Sequence, residues 1–545
     1  MKKHLHKLLP AILIAFATSF MLYVYEPIIT YSANIDDFWF DFKLMIPNIT
    51  LYFIILFSVV LLIYSIIYLI SLLLKRDKIY KIILIISFIV FTALYIQGVY
   101  LVGNLPVLDG TTIDWSSYTT DTIISCVVVF ILIIAEIVLI RKTDIKKTVK
   151  INTYFTVVIL VMISLSVISL FFKPNVFREK VVAVATNRNI NNASTDKNFY
   201  IVLVDAVDSY EFSTIVENSD KYSQTFNDFS YYPDTVSGYT FTRDSIPFIF
   251  SALWNKNEME FRDYSTKAFN ESEIFKKLKD KQYNMNFYEN EIIWNDRKSS
   301  EFSNINIYNN KVNQERFFKE LSKYILFKYL PYPLKKYSKI ETADFSTSKI
   351  DEEENYFEWS NSNAYKNIKE NRIEKIGEKY FQFLHIEGGH VPFDYDEDVN
   401  IIPTDEGNYQ KKLTATLNII DTFIKRLKEN NVYDNSVIVV MADHGYWNSQ
   451  NNGRQNPILY IKGVNEHHEM ITSEIPVSYE DLCDTFIKLL DDKKSTELFQ
   501  NIDKDRIRRF IDNPAGGEDI MTEYEQRGKA WDRSAIYETG NKFNR

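Results

Sequence analysis

Cysteine is nearly absent: 545 residues hold only Cys126 and Cys483. That excludes a disulfide framework and a four-thiolate zinc site. Cys126 lies in an apolar run, so a bridge to Cys483 is not expected. A cationic surplus is missing as well. The 62 Lys+Arg face 71 Asp+Glu, a formal net charge of −9. The deficit is uneven. Residues 1–172 carry 13 basic and 10 acidic side chains, whereas residues 173–545 carry 49 and 61. A polar portion with that acidic balance lacks the clustered cations that nucleic-acid backbones require. The sequence has no internal repeat.

What is abundant is apolar sequence in long blocks. Five stretches approach or exceed the length needed to cross a bilayer core, Leu8–Tyr25, Leu51–Leu74, Ile82–Leu101, Ile123–Ile140 and Tyr154–Phe172. Backbone groups in lipid must be satisfied within the segment, so each reads as a helix. Cations mark alternate loops: Lys2, Lys3 and Lys7, then Lys75, Arg76, Lys78 and Lys81, then Arg141, Lys142, Lys146, Lys147 and Lys150. The intervening loops hold Lys43 alone or no cation. Excess cations stay on the cytoplasmic side. The N-terminus is therefore expected inside and everything after Phe172 outside. The first span is read as an uncleaved anchor, because the later loops alternate in phase with it; a cleaved signal peptide is the alternative. The domains expected are a membrane domain over 1–172, a polar linker over 173–197 and an extracytoplasmic domain over 198–545.

The last of these reads as α/β. Tyr200–Val204, Tyr380–Leu384, Val437–Val440 and Pro457–Ile461 are short apolar runs, suited to strands buried on both faces of a mainly parallel sheet. Between the second and third lies an amphipathic helix, with Leu413, Leu417, Ile420, Ile424 and Leu427 at helical spacing. In such sheets functional groups gather at the carboxyl ends of the strands. Asp205, His385 and Asp443-His444 all fall there.

Two carboxylates and an imidazole suit an open site for Mn²⁺ or Zn²⁺, with Gly445 permitting the turn away. A metal beside a hydroxyl lowers its pKa and makes it a nucleophile. The hydroxyl-rich stretch Thr235–Ser251 runs into an apolar segment, as a loop entering a helix would, and a helix N-terminus favours an anionic phosphoryl group. Three of only seven histidines, His385, His390 and His444, fall in two short motifs, and such concentration marks sites. Asn255–Lys375 is long, charged and aromatic-rich and is read as an acceptor-side variable region. Asp481–Leu490 is read as a helix, Asn513–Gly517 as a turn, and the tail to Arg545 as a small lobe or a mobile end.

Asp205 after a strand, the Thr-rich stretch with Pro247, the Asp443-His444-Gly445 turn and the helix before it together resemble the alkaline phosphatase/sulfatase superfamily. The five-span anchor resembles its membrane-anchored branch, the lipoteichoic-acid synthases and phosphoethanolamine transferases. The resemblance implies an α/β/α sandwich. It implies Thr242 as nucleophile, three residues before Ser245 and five before Pro247, with Thr240 the competitor in the same loop. It implies one divalent metal, Mn²⁺ ahead of Zn²⁺, held by Asp205, Thr242, Asp443 and His444, although the branch often has Glu where this chain has Asp205. His390, in His385-Ile-Glu-Gly-Gly-His390-Val-Pro, matches the family's substrate-contacting histidine, with His385 beside it. Trp294 and Arg297 resemble a glycerol-phosphate-reading pair whose spacing differs by one residue. Sulfatases proper fit less well: neither cysteine has the context that becomes formylglycine, and Ala206 stands where they carry a second Asp.

The activity so implied is transfer of a phospholipid headgroup, phosphoglycerol ahead of phosphoethanolamine, through a phospho-threonine onto an envelope glycan or lipid-linked sugar. The site would face outward from a bacterial-type plasma membrane. Hydrolysis by the same residues, and a non-catalytic regulator that keeps the fold, are the competing readings.

Overall fold

The computed structural model describes residues 2–33, 35, 38, 40–103, 113–173, 177, 182–256, 258–259, 261–289, 301–308, 312–338, 356–446, 453–513 and 520–544. It divides into two compact units, 1–180 with 309–351, and 181–308 with 352–545.

Among the described residues of the first unit, five helical spans are long and apolar enough to cross a membrane: Lys7–Ala33, Phe42–Leu73, Asp77–Val99, Trp115–Lys142 and Ile145–Leu170. They coincide with the five apolar blocks. Asp41 and Asp144 cap two of them by accepting backbone N–H groups of the first turn. The first span contains a π-helical turn, Met21–Tyr25, just before a buried Glu26. Residues 312–338 belong to this unit and form the helix Gln314–Tyr329 and the short turn Tyr332–Lys335.

The second unit is built on a seven-stranded sheet: β1 Asn198–Val204, β2 Ser230–Tyr231, β3 Asn284–Tyr288, β4 Tyr380–Ile386, β5 Ser436–Ala442, β6 Leu459–Lys462 and β7 Ile471–Thr472. Its order is β7-β2-β6-β5-β1-β4-β3. The ladders β5–β1–β4–β3 are parallel. β7 and β2 are parallel as well, and β6 runs antiparallel to both β5 and β2, so the sheet is mainly parallel and mixed only through that one reversed strand. Parallel neighbours need a crossover from one end of the sheet to the other, and among the described residues no helix lies between β5 and β6.

Alternation along β1 explains the layers. Phe199, Ile201 and Leu203 enter one core layer, Tyr200, Val202 and Val204 the other. Helix Tyr409–Glu429 covers the second face through Leu413, Leu417, Ile420, Ile424 and Leu427, the periodic set. Helix Thr242–Ser251 covers the first through Ile246, Phe248, Ile249 and Phe250. Within 173–197, read as a linker, Val182–Ala185 pairs with Ile305–Tyr308 and Asn192–Ser194 with Glu374–Ile376. The chain has thus joined the fold by Val182, through strands of four and three residues, too short to show a period. A helix forms at Leu482–Leu490, and Arg508–Asp512, Ile520–Gln526 and Ile536–Asn544 make an antiparallel meander from the tail. Most of the turn read at Asn513–Gly517 lies outside the described residues.

Candidate metal and phosphoryl-transfer site

Side-chain parity gathers the chemistry on one side of the sheet. Asp205 continues the series Ile201–Leu203, Asp443 the series Val439–Met441, His385 the series Phe381–Phe383, and Glu289 follows Phe287 by two. Register sets their depth. Ala442 pairs with Val204, which puts Asp443 beside Asp205 at the next step. Leu203 pairs with His385 and Tyr288 with Leu384, which puts Glu289 beside His385 one step back.

One carboxylate oxygen each from Asp205 and Asp443 and one ring nitrogen of His444 lie within 4.8 Å of one another, all three residues buried. His444 Nδ1 is 2.7 Å from the Gly445 carbonyl, so it donates there and Nε2 is the free ligand atom. That Nε2 is 3.4 Å from Asp443 Oδ2 and 3.8 Å from Asp205 Oδ1. Thr242, the first residue of its helix, places Oγ1 3.2 Å from Asp205 Oδ2. Ser245 Oγ donates to the Asp443 carbonyl at 2.8 Å and ties that helix to the strand end. Asp443 Oδ1 accepts the N–H groups of Ala206 and His444 at 3.1 and 2.8 Å. Asp205 Oδ1 and Asp443 Oδ2, by contrast, are buried with no hydrogen-bond partner. Two orphaned anionic oxygens beside an imidazole are costly without a cation. The residues therefore fit a divalent ion, with Thr242 Oγ1 at its edge.

The electrostatics agree. Burial alone raises a carboxyl, but at Asp205 the imidazoles of His390, His385 and His444 outweigh it and hold the group below the usual range. Asp443 is raised by burial and by the Asp205 charge. Burial opposes a charged His385, yet Glu289 and Asp205 together hold it well above the ordinary histidine value.

Backbone crowding explains the local sequence. Gly388 has φ +58°, and a Cβ there would meet Asp205 N at 2.5 Å and Asp205 O at 2.7 Å. Only glycine lets the loop carrying His390 lie on the end of β1. Asn361 clamps that turn, its amide exchanging two 3.0 Å bonds with Gly388. Lys412, fully buried, reaches Glu387, the Pro392 carbonyl at 2.6 Å and Asp394 at 3.2 Å. His390 Nδ1 is 2.5 Å from the Val391 carbonyl, which leaves Nε2 as its other ring nitrogen, and the ring is close enough to act on the Asp205 charge.

Thr240 does not compete at this distance: its hydroxyl bonds Asp512. Trp294 and Arg297 lie outside the described residues. Three residues escaped the sequence reading. Glu289 binds His385 Nδ1 directly. Trp359 Nε1 lies 3.3 Å from His385 Nε2, and its ring centroid is 5.3 Å from that of His390. Arg454 is pulled down by burial while Asp512, Asp443 and Asp205 oppose the shift. Glu289 ends a strand, so the rule that found Asp205 would have found it had Asn284–Tyr288 been recognised.

This combination defines a divalent-metal enzyme of the kind that acts on sulfate and phosphate esters. The chain belongs to the sulfatase family, whose model matches residues 197–474, just over half of its length. Comparison with curated proteins gave no match. Among solved structures it is similar to Ps i-CgsB in complex with k-i-k-neocarrahexaose (13% identity, TM-score 0.40, covering 62% of this chain and 83% of that one). It is also similar to a protein of the alkaline phosphatase superfamily from Vibrio parahaemolyticus (10%, 0.35, 66% and 81%). A third similar structure is the phosphonate monoester hydrolase from Silicibacter pomeroyi (10%, 0.37, 64% and 89%).

Proposed function

We propose that the protein transfers a phospholipid headgroup, phosphoglycerol in preference to phosphoethanolamine, from a membrane lipid to an envelope glycan or lipid-linked sugar. The observation that carries this reading is Thr242 Oγ1 at a helix N-terminus, 3.2 Å from an aspartate that shares a cluster with two orphaned carboxylate oxygens. Membrane-spanning helices in the same chain, with cations in alternate loops, support an outward-facing site that draws on lipid.

Asp205, Asp443, His444 and Thr242 would hold one divalent ion, Mn²⁺ foremost. When bound, that ion lowers the pKa of the threonine hydroxyl and offsets phosphoryl charge. Thr242 Oγ1, its proton lost to solvent beforehand, attacks phosphorus as an alkoxide and the bond to the diacylglycerol oxygen breaks; the same alkoxide is released in the second half-reaction. The N-terminus of helix Thr242–Ser251, with its positive dipole end, favours the anionic phosphoryl group. His390 Nε2, its ring fixed through Nδ1, supplies the proton to the departing oxygen. Phosphoglycerol now rides on Thr242. An acceptor hydroxyl attacks the same phosphorus, gives its proton to His390 and restores Thr242.

The test is purified full-length protein with headgroup-labelled phosphatidylglycerol or phosphatidylethanolamine, with and without glycan acceptor. Label on the acceptor with release of diacylglycerol is expected, and none with Thr242→Ala. Label released only to water would make the protein a hydrolase, and full activity of Thr242→Ala would exclude the mechanism.

A further inference from the structure

Residues 312–338 depart from the second unit in sequence but pack with the membrane helices. One face of helix Gln314–Tyr329 is apolar and inserted: Phe317, Leu321, Ile325 and Tyr329 share a core with Met45 and Phe91 of two spans. A buried polar latch accompanies it. Glu26, fully buried, accepts Lys328 Nζ at 2.6 Å, Thr30 Oγ1 at 2.9 Å and the Tyr329 hydroxyl at 2.7 Å. Tyr52 donates to the Gln314 carbonyl at 2.6 Å. Glu26 lies near the end of the first span, Tyr52 in the first turns of the second and Tyr95 near the end of the third. Chain direction puts all three at one end of the bundle, opposite the Lys75–Lys81 turn. The helix therefore lies toward that end of the bundle.

Its outer face has a different character. Leu326, Leu334 and Tyr337 are 45–74% exposed. Between 312 and 338 there are six Lys or Arg and two Glu, in the portion of the sequence that is otherwise strongly acidic. Lys319 and Lys336 are exposed. Exposed rings and aliphatics interleaved with cations are what an anionic lipid surface attracts.

We propose that residues 312–338 form an interfacial element, latched to the bundle through Glu26 and facing an anionic phospholipid headgroup layer. The partner is the bilayer surface itself, and the inference does not depend on the reaction catalysed.

The test uses the full chain with Cys126→Ser and Cys483→Ser, carrying a fluorophore at Tyr337→Cys, Leu326→Cys or, as control, Ile401→Cys, which is 69% exposed in the second unit. Nanodiscs contain headgroup-spin-labelled phosphatidylglycerol or phosphatidylcholine. Quenching at 326 and 337 should exceed that at 401, and the anionic lipid should quench about twofold or more better than the zwitterionic one. Lys319→Glu with Lys336→Glu should abolish that preference without changing the latch. Quenching at 326 and 337 no greater than at 401 would overturn the proposal, as would equal quenching by both lipids.

Discussion

Asp234 and Asp443 are both buried carboxylates of the second unit, and their surroundings differ in kind. Asp234 Oδ1 accepts Arg508 Nη1 at 2.8 Å and the Ala530 N–H at 2.7 Å, and Lys529 Nζ lies 3.4 Å from Oδ2. Every oxygen has a donor and the nearest charges are opposite. Asp443 keeps one oxygen without a donor, beside another carboxylate. The first arrangement fastens the meander to the sheet domain; the second leaves a buried charge that a bound cation would offset. Completeness of pairing, more than burial, separates a structural aspartate from a reactive one.

The comparison is broken most decisively at the nucleophile. Thr242→Ala should lower transfer by about 10³-fold or more, while the melting temperature stays within about 2 °C, because one 3.2 Å bond is lost. Calorimetry beside the transfer assay checks both. Next comes the pair itself. Asp443→Asn should abolish transfer by a similar factor yet leave metal-free stability equal or higher, since Oδ1 can keep its two N–H donors and the repulsion with Asp205 is gone. Asp234→Asn should do the reverse, costing about 3 kcal/mol or more by stranding buried Arg508, with metal binding intact in the folded fraction. Denaturant titration and metal titration separate the two. His390→Gln should slow transfer by about 10²-fold with metal affinity unchanged. Glu289→Gln, which loosens His385 rather than removing a ligand, should cost about tenfold.

The smallest effect concerns pH. At Lys328 burial lowers the ammonium, but Glu26 more than offsets it, so its pKa lies above the ordinary 10.5. A raised basic group contributes fully below its unfolded value and less as pH climbs through its folded value. Protease resistance of the Gln314–Tyr329 helix should therefore be flat to pH 10.5 and fall only above it.

Much of this was legible beforehand, for identifiable reasons. Long apolar blocks marked every span, because lipid demands uninterrupted length. β1, β4, β5 and β6 were readable as continuous apolar runs, and the strand-end rule then placed Asp205, His385 and Asp443. β2 and β7 have two residues each, too few for any pattern. β3 alternates Asn with apolar residues, so it was passed over and Glu289 with it. The direction of β6 follows from how the chain returns, which local composition does not encode. Nor does amphipathicity state which surface receives a helix: Gln314–Tyr329 has an apolar face that suits either unit, and the partners that show which one it meets, Glu26 and Tyr52 among them, lie hundreds of positions earlier.

The central claim is that Thr242 becomes the covalent carrier of the transferred group. Its most direct test is rapid acid quenching of the metal-loaded enzyme with labelled lipid and no acceptor, followed by peptide mass spectrometry. A phosphoglycerol adduct on Thr242 that disappears when acceptor is added is the predicted result. Turnover with that peptide unmodified at every time, or an adduct on another residue, would contradict it.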